Sequence, residues 1–165
     1  IATSQAQLGY VLGAKAVGAE RAAYTRQRLA SLRAQTRGPR VRTFFQIADQ
    51  NLYTVNGSHF IGQAITLCGG ENVFAASDVV VPVVGVESVV AADPELIIIS
   101  RPRARASTWE RKWRDYASVK AVANNRIEII DADLISRPGT RFIDGIGEMC
   151  RVISESASGI PARDQ

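Results

Sequence analysis

Short, nearly continuous apolar runs are the feature of this sequence that most constrains its fold. They occupy residues 41–47, 95–100 and 126–130. Runs of this length are typical of strands in a parallel sheet that helices cover on both faces. The stretches between them have apolar residues at helical spacing, so strands alternate with helices along the chain. The sequence therefore predicts an α/β fold with a parallel sheet and right-handed crossovers.

The amino-terminal segment has a different pattern. From residue 5 to residue 35 it contains no proline, and apolar residues recur at helical spacing. We predict one long helix over residues 1–38 that connects parts of a larger body, followed by an α/β lobe over residues 39–165. Gly9, Gly13 and Gly18 are positions at which such a helix packs closely against a neighbour or divides in two. Because the sequence starts without an initiator Met or a signal segment, we expect a piece of a longer protein.

The other predicted elements follow from local signals. Ser58 is a good N-cap for a helix over residues 59–67. A β-branched run over residues 79–86 predicts a further strand, and residues 131–140 are predicted to be a loop. The remaining predicted helices span residues 87–92, 108–116, 118–123 and about 140–155.

Composition excludes several classes of protein. The chain has 165 residues, of which 46% are hydrophobic and 22% charged, and this fits one globular domain. No apolar run approaches the roughly 20 residues of a membrane-spanning helix. The net charge is +4, but aromatic residues do not interleave with the arginine clusters, so we interpret these as solvated helix faces and expect no nucleic-acid partner. For Cys68 and Cys150, two buried thiols and one disulfide are equally compatible with composition.

Signatures of catalysis are absent. The sequence has no GxGxxG, P-loop or GxSxG motif, and its only histidine, His59, fits the first turn of a helix. Glu128, Asp131 and Asp133 form an acidic cluster beside Arg137, which supports an alternative hypothesis, an enzyme on an α/β fold. Because no nucleophile or metal partner accompanies the cluster, we favour a binding protein without catalytic residues, metal ligands or a catalytic cofactor.

The topology indicates where a ligand would bind. In a Rossmann-like parallel sheet, ligands lie outside the carboxyl ends of the strands. In this sequence the loops at those ends follow Gln46, Ser100 and Ile130. We therefore expect the functional residues in these three loops.

Four short runs of residues resemble a known family. Residues 44–46 read FFQ and are followed by LYTV at 52–55, residues 67–74 read LCGGENVF, and residues 131–142 read DADLISRPGTRF. Together they resemble the vitamin B12 (cobalamin) periplasmic substrate-binding proteins of ABC importers, over nearly the whole chain. The resemblance implies the C-terminal lobe and connecting helix of a helical-backbone (class III) binding protein. Its N-terminal lobe is missing from this chain, and cobalamin, a corrinoid, would be held between the two lobes.

The resemblance also implies which residues contact the ligand. The family's aromatic residue beside the corrin corresponds to Tyr53, and its Asp and Arg four residues apart correspond to Asp133 and Arg137. Val81 stands where some members present a Trp, which leaves haem or a ferric siderophore as alternative ligands. The expected ligand-binding residues are Tyr53, Leu52, Val81, Asp133, Leu134 and Arg137.

The same resemblance implies a partner and a cross-link. Glu87 corresponds to the glutamate with which the C-terminal lobe docks onto the membrane permease of the importer. Cys68 and Cys150 correspond to cysteines that are disulfide-bonded in relatives, and an exported protein permits such a bond. We expect a periplasmic protein, either free or lipid-anchored. A structural role, such as a dimer swapped through the long helix, is the remaining alternative.

Overall fold

A single parallel sheet is the centre of the fold. The computed structural model describes residues 1–36, 38–47, 51–102 and 108–159. Within these ranges the strands are β1 (Val41–Gln46), β2 (Gly70–Asn72), β3 (Leu96–Arg101) and β4 (Ile127–Asp131). Their order is β2-β1-β3-β4 and all three pairings are parallel. The predicted α/β class is confirmed.

Helices cover both faces of the sheet. They are α1 (Ala2–Val11), α2 (Lys15–Gln35), α3 (Phe60–Leu67), α4 (Val86–Ala92), α5 (Thr108–Trp113), α6 (Lys120–Ala123), α7 (Ala132–Ile135) and α8 (Thr140–Ala157). Along β3, Leu96 and Ile98 belong to a core shared with α2, α3, α7 and α8. Ile97 and Ile99 belong to a second core shared with α4, α5 and α6. Because successive side chains of a strand point to opposite faces, burial on both sides accounts for the unbroken apolar run.

The amino-terminal segment is a helical hairpin. The predicted helix is divided in two, an outcome that its glycines left open, because α1 ends at Val11 and α2 begins at Lys15. Gly13 between them has a φ of 71°, a left-handed value that glycine adopts without strain. A Cβ on Gly9 would lie 2.6 Å from the Cα of Gly18, so only glycine lets the two helices approach this closely. The predicted boundary between residues 1–38 and the α/β lobe over residues 39–165 stays a prediction.

Two strand predictions also differ from the structure. Strand β2, which pairs with β1 at one edge of the sheet, was not predicted because its three residues have no periodic signal. Residues 79–86 do not join the sheet. Instead Thr54 donates a hydrogen bond from its backbone N to Pro82 O at 3.0 Å, and Val84 N donates to Leu52 O at 3.0 Å. Because Pro82 has no N–H, this segment forms only a short antiparallel pairing with the turn after β1.

A disulfide bond joins two helices of the first core. Cys68 is the C-cap residue of α3, and Cys150 lies in α8. Their sulfur atoms are bonded, with the two Cα atoms 4.5 Å apart. The expected Cys68–Cys150 disulfide is confirmed.

The N-cap of α3 is His59, whereas the sequence predicted Ser58. The Nδ1 atom of His59 accepts a hydrogen bond from Ile61 N at 3.2 Å. The Ser58 hydroxyl donates to Asn56 Oδ1, which also accepts from the backbone N of Ser58 and of His59. Ser58 is displaced from the capping position because Asn56 organises the turn before the helix.

This cap makes stability depend on pH. Burial lowers the pKa of His59 below its ordinary value of about 6.5. The unfolded state therefore binds more protons between the two values, so the contribution of His59 to stability is present above pH 6.5 and is lost as the pH falls. We expect about 1 kcal/mol of unfolding free energy, the usual value of a cap, to depend on the neutral ring. Urea unfolding between pH 7.5 and pH 5 measures it.

A matched variant isolates this effect. Asn is a favoured N-cap residue without a titrating group, so His59→Asn should retain the cap and lose this part of the pH dependence. Since His59 is the only histidine in the sequence, an unchanged difference in stability between pH 7.5 and pH 5 in His59→Asn would contradict the assignment.

Candidate ligand-binding site

The carboxyl edge of the sheet is where a ligand is expected. From β1 the chain moves outward to β2, then crosses back to β3 on the other side of β1 and continues to β4. The strand order therefore reverses between β1 and β3, and parallel α/β sheets bind ligands in the crevice outside such a reversal. The turn after β1 and the turn after β4 flank this position.

A buried hydrogen bond holds α5 against the end of β1, at the carboxyl edge of the sheet. Trp113 Nε1 donates to Gln46 Oε1 at 3.0 Å, and both residues are fully buried. The bond fixes α5 against the last residue of β1. Sequence reasoning did not identify this pair, although a glutamine that ends an apolar run was a usable signal, because buried amides need a partner.

The turn after β1 presents Tyr53 beside an exposed apolar surface. Tyr53 is half-buried, its carbonyl accepts a hydrogen bond from Ile47 N at 2.9 Å, and it forms an isolated bridge with Val83. Val81 is 39% exposed. We call the exposed residues of this segment the valine strip, and they are Val79, Val80, Val81 and Val83. The sequence predicted Val81 in this role but not its neighbours.

Leu52 does not belong to this surface. It is only 3% exposed and packs in the second core, which also contains Phe44 and Val89. Leu52 is therefore removed from the residues expected to contact the ligand. Successive residues of an extended segment point in opposite directions, so when Tyr53 faces outward its neighbour faces the core.

The turn after β4 forms a depression of about 580 Å³ in whose wall most residues are polar. Asp131 caps α7 by accepting a hydrogen bond from Asp133 N at 3.0 Å. This turn holds Asp133 and Arg137 in the wall of the same depression, together with Pro102, Ser136, Thr140 and Arg141. We call it the arginine depression. The expected juxtaposition of Asp133 and Arg137 is present, whereas Thr140 and Arg141 were not predicted.

Leu134 lies in α7, where this helix meets α8. It is half-buried, and a Cβ on Gly145 would lie 2.9 Å from its carbonyl oxygen. The residue thus contributes to the close packing of these two helices. Whether its side chain contacts a ligand stays a prediction.

The acidic cluster is not assembled into one group. Glu128 is buried within β4, and burial raises the pKa of its carboxyl. Asp131 serves as the cap of α7, and of the three acids only Asp133 lines the arginine depression. Within the described ranges no three His, Cys, Asp or Glu side chains are grouped as metal ligands would be. The arrangement lends itself to binding through an apolar strip and a polar depression.

These two surfaces lie at the same edge of the sheet. They follow β1 and β4, which are separated by β3 alone, so their parent strands lie about 10 Å apart.

Glu87 is exposed in the first turn of α4. Because α4 leads back to the start of β3, its first turn lies at the carboxyl edge, beside the valine strip. Considering only the residues that the structure describes, no helix is long and apolar enough to cross a membrane.

Comparisons with known proteins identify relatives. No protein-family model matches the chain. A vitamin B12-binding protein of Vibrio cholerae is 33% identical over 135 residues, which are 81% of this chain and 48% of that protein. The crystal structure of the periplasmic vitamin B12-binding protein BtuF of Vibrio cholerae superposes with a TM-score of 0.84 and 31% identity, covering 94% of this chain and 61% of that one.

A structure of lower identity extends the comparison of the fold. The periplasmic haem-binding protein RhuT from Roseiflexus sp. RS-1 superposes with a TM-score of 0.79 at 18% identity, covering 94% of this chain and 62% of that one. The chain spans about half the length of the vitamin B12-binding relatives that it matches. By sequence and by fold, it belongs to the family of periplasmic binding proteins that contains these vitamin B12-binding proteins.

Proposed function

We propose that this chain is the C-terminal lobe, with its connecting helical segment, of the periplasmic solute-binding component of an ABC importer. The whole protein binds cobalamin or a related corrinoid between two lobes and delivers it to the membrane permease without chemical change. The observation that carries the proposal is the similarity to vitamin B12-binding proteins over 81% of this chain. The proposal makes the protein a carrier and not an enzyme.

The carboxyl edge of the sheet supports this function. Tyr53 and the valine strip offer an aromatic ring and aliphatic side chains to the flat, apolar face of a corrin. Asp133 accepts hydrogen bonds from the side-chain amides of the ring, and Arg137 donates to amide oxygens or to phosphate. Such a surface covers one side of the ligand, so a second lobe is needed to enclose it.

Exposed apolar residues of the helical hairpin favour the presence of a second lobe. Leu8, Tyr10, Val11 and Leu12 are between 59% and 77% exposed. Monomeric proteins rarely expose large contiguous apolar patches, because burial of such surface is favourable. The amino-terminal lobe of the same polypeptide would cover these residues in the whole protein. The fraction of the relatives' length that this chain matches, about half, leaves room for such a lobe.

Docking to the permease is assigned to Glu87. The carboxylate is exposed at the edge that carries the ligand, where a permease would receive it, and an arginine of the permease is the fitting partner. Glu87→Gln should weaken a complex of the protein with its permease in a pull-down, and undiminished binding would contradict the assignment. A periplasmic location, with the full-length protein either free or lipid-anchored, completes the proposal.

Haem is a second candidate ligand. Val81, where some family members present Trp, provides less stacking area for a corrin, and haem is also a flat macrocycle. A haem-binding protein shares the fold. A ferric siderophore is a third candidate, since the fold also occurs in an Fe³⁺-hydroxamate transport system.

Calorimetric titration of the whole two-lobed protein with cyanocobalamin and with haemin tests the function. We expect saturable binding of cyanocobalamin. Arg137→Ala should weaken it about 10-fold or more, because a charge-assisted hydrogen bond contributes about 1.5–3 kcal/mol. Arg33→Ala, which removes an exposed arginine from the last turn of α2 at the opposite end of the sheet, is the matched control and should have no effect.

The outcomes separate the candidates. Binding of haemin but not of cyanocobalamin would replace the corrinoid by haem, and absence of both would overturn the proposed ligand class. The isolated 165-residue chain should bind poorly, because it supplies one side of the pocket. Tight binding by this chain alone would show that the second lobe is not required.

A further inference from the structure

We infer that Arg141 is a second arginine of the ligand site, and that together with Arg137 it selects corrinoids that carry a phosphate-bearing nucleotide over corrinoids that lack it. This inference rests on the function proposed above and specifies the chemical group that the site recognises. Arg141 stands within the run 131–142 that carries the resemblance, but the resemblance implied no role for it.

The shape of the arginine depression brings the two arginines together. Arg141 is the second residue of α8, and Arg137 lies in the turn before this helix. Both line the same depression, both are exposed, and Thr140 adds a hydroxyl group to the same wall. Within the described ranges, neither guanidinium group forms an ion pair with a carboxylate, since the ion pairs found there involve other residues. Both groups are therefore available to a ligand.

The surroundings of Arg141 add further positive charge. A neighbouring groove between α2 and α8 shares Thr140 and Arg141 with the arginine depression. Arg21 and Arg28 of α2 also line this groove, and Asp144 is its only carboxylate among the described residues. The two hollows together contain four arginines and two aspartates. The excess of cations attracts an anionic group, more strongly once a second lobe displaces water from the site.

The chemistry of corrinoids supplies such a group. The corrin side chains end in neutral amides, whereas the nucleotide is attached through a phosphodiester that carries a negative charge. Guanidinium groups match phosphate oxygens with paired N–H donors. Asp133 would repel a phosphate but accepts hydrogen bonds from amide N–H groups. Different residues of the depression thus bind different groups of the ligand: Asp133 binds the ring amides, and the two arginines bind the phosphate.

Paired titrations of the whole two-lobed protein test the inference. Cobalamin carries the nucleotide phosphate, and cobinamide is the corrinoid that lacks it. Arg141→Gln should weaken cobalamin binding about 10-fold, the effect of losing one charge-assisted hydrogen bond, and should leave cobinamide binding within about twofold of wild type. Arg141→Lys should keep part of the affinity, because lysine retains the positive charge but lacks the paired N–H donors of the guanidinium group. Arg33→Gln is the control for loss of one surface charge.

Each outcome decides between the alternatives. Selective loss of cobalamin binding supports the inference, and retained cobinamide binding shows that the variant is folded. The inference about Arg141 is overturned, without affecting the proposed function, by either of two results. One is an equal loss of affinity for both corrinoids in a variant with unchanged thermal unfolding, and the other is no loss of cobalamin affinity. Failure of wild type to bind either corrinoid overturns the proposed function instead.

Discussion

Replacing Cys68 and Cys150 together by alanine is expected to lower the free energy of unfolding by about 4 kcal/mol. The disulfide closes a long loop, since the two cysteines are 82 residues apart. Without the cross-link the unfolded chain gains the entropy of that loop, and this entropy grows with loop length. Because the bond joins α3 to α8 across the first core, it also keeps together two elements that lie far apart in sequence.

Thermal and urea unfolding of the 165-residue chain measure this effect. For a domain of this size the expected fall in Tm is about 10 °C. The control is the same pair of proteins in dithiothreitol, which should lower the stability of wild type to that of the double variant and leave the variant unchanged. Equal stability of the two proteins under oxidising conditions would contradict the prediction.

Substitution of Gly62 by alanine is expected to destabilise the lobe by about 3 kcal/mol, a typical effect of forcing an extra group into a packed site. Gly62 lies in α3, and a Cβ there would overlap the carbonyl oxygen of Asn56. Asn56 cannot move aside easily. Its side-chain amide donates to Ser77 O at 2.9 Å, and its backbone N donates to Val80 O at 3.0 Å.

The same clash should reach the ligand site. Asn56 N donates to the valine strip directly, so a shift of its backbone moves the strip relative to Tyr53. We expect weaker corrinoid binding by Gly62→Ala in the whole protein, besides a lower urea midpoint.

Gly147 provides the matched control. It also lies within a helix, α8, but the nearest atom to an added Cβ is Arg28 Nη2 at 3.8 Å, an ordinary contact. Alanine is a better helix former than glycine by up to about 1 kcal/mol. Gly147→Ala should therefore leave stability unchanged or raise it slightly. If both variants lost the same stability, the contact with Asn56 would not be the cause.

Much of the fold was predictable because it rests on local signals. The three apolar runs predicted β1, β3 and β4, and their boundaries in the structure differ by only about one residue. Glycine and proline correctly marked the ends of helices. The missed strand β2 is too short for a periodic pattern. The break at Gly13 could not be chosen over a continuous helix, because the close approach of Gly9 and Gly18 appears only when α1 has folded back.

The candidate site was predictable to a lesser degree. Asp133 and Arg137 were expected together, and they line one depression. Leu52 was expected at the surface, but the direction of its side chain depends on the pairing of its segment with residues 80–84, which the sequence does not encode locally. Arg141 lies in the run 131–142 that carries the resemblance, but nothing local marks it as a ligand contact, and its proximity to Arg137 depends on the turn between α7 and α8.

The sequence alone thus determined the class of fold, the three long strands and, through its resemblance to a family, the disulfide partners. These features depend on the periodicity of apolar residues and on short runs of residues, both of which are local. Only the tertiary structure decided the helical hairpin, the strand order and the surfaces at the carboxyl edge. Each of these depends on contacts between residues far apart in the chain, whose free energy is gained only when the segments pack together.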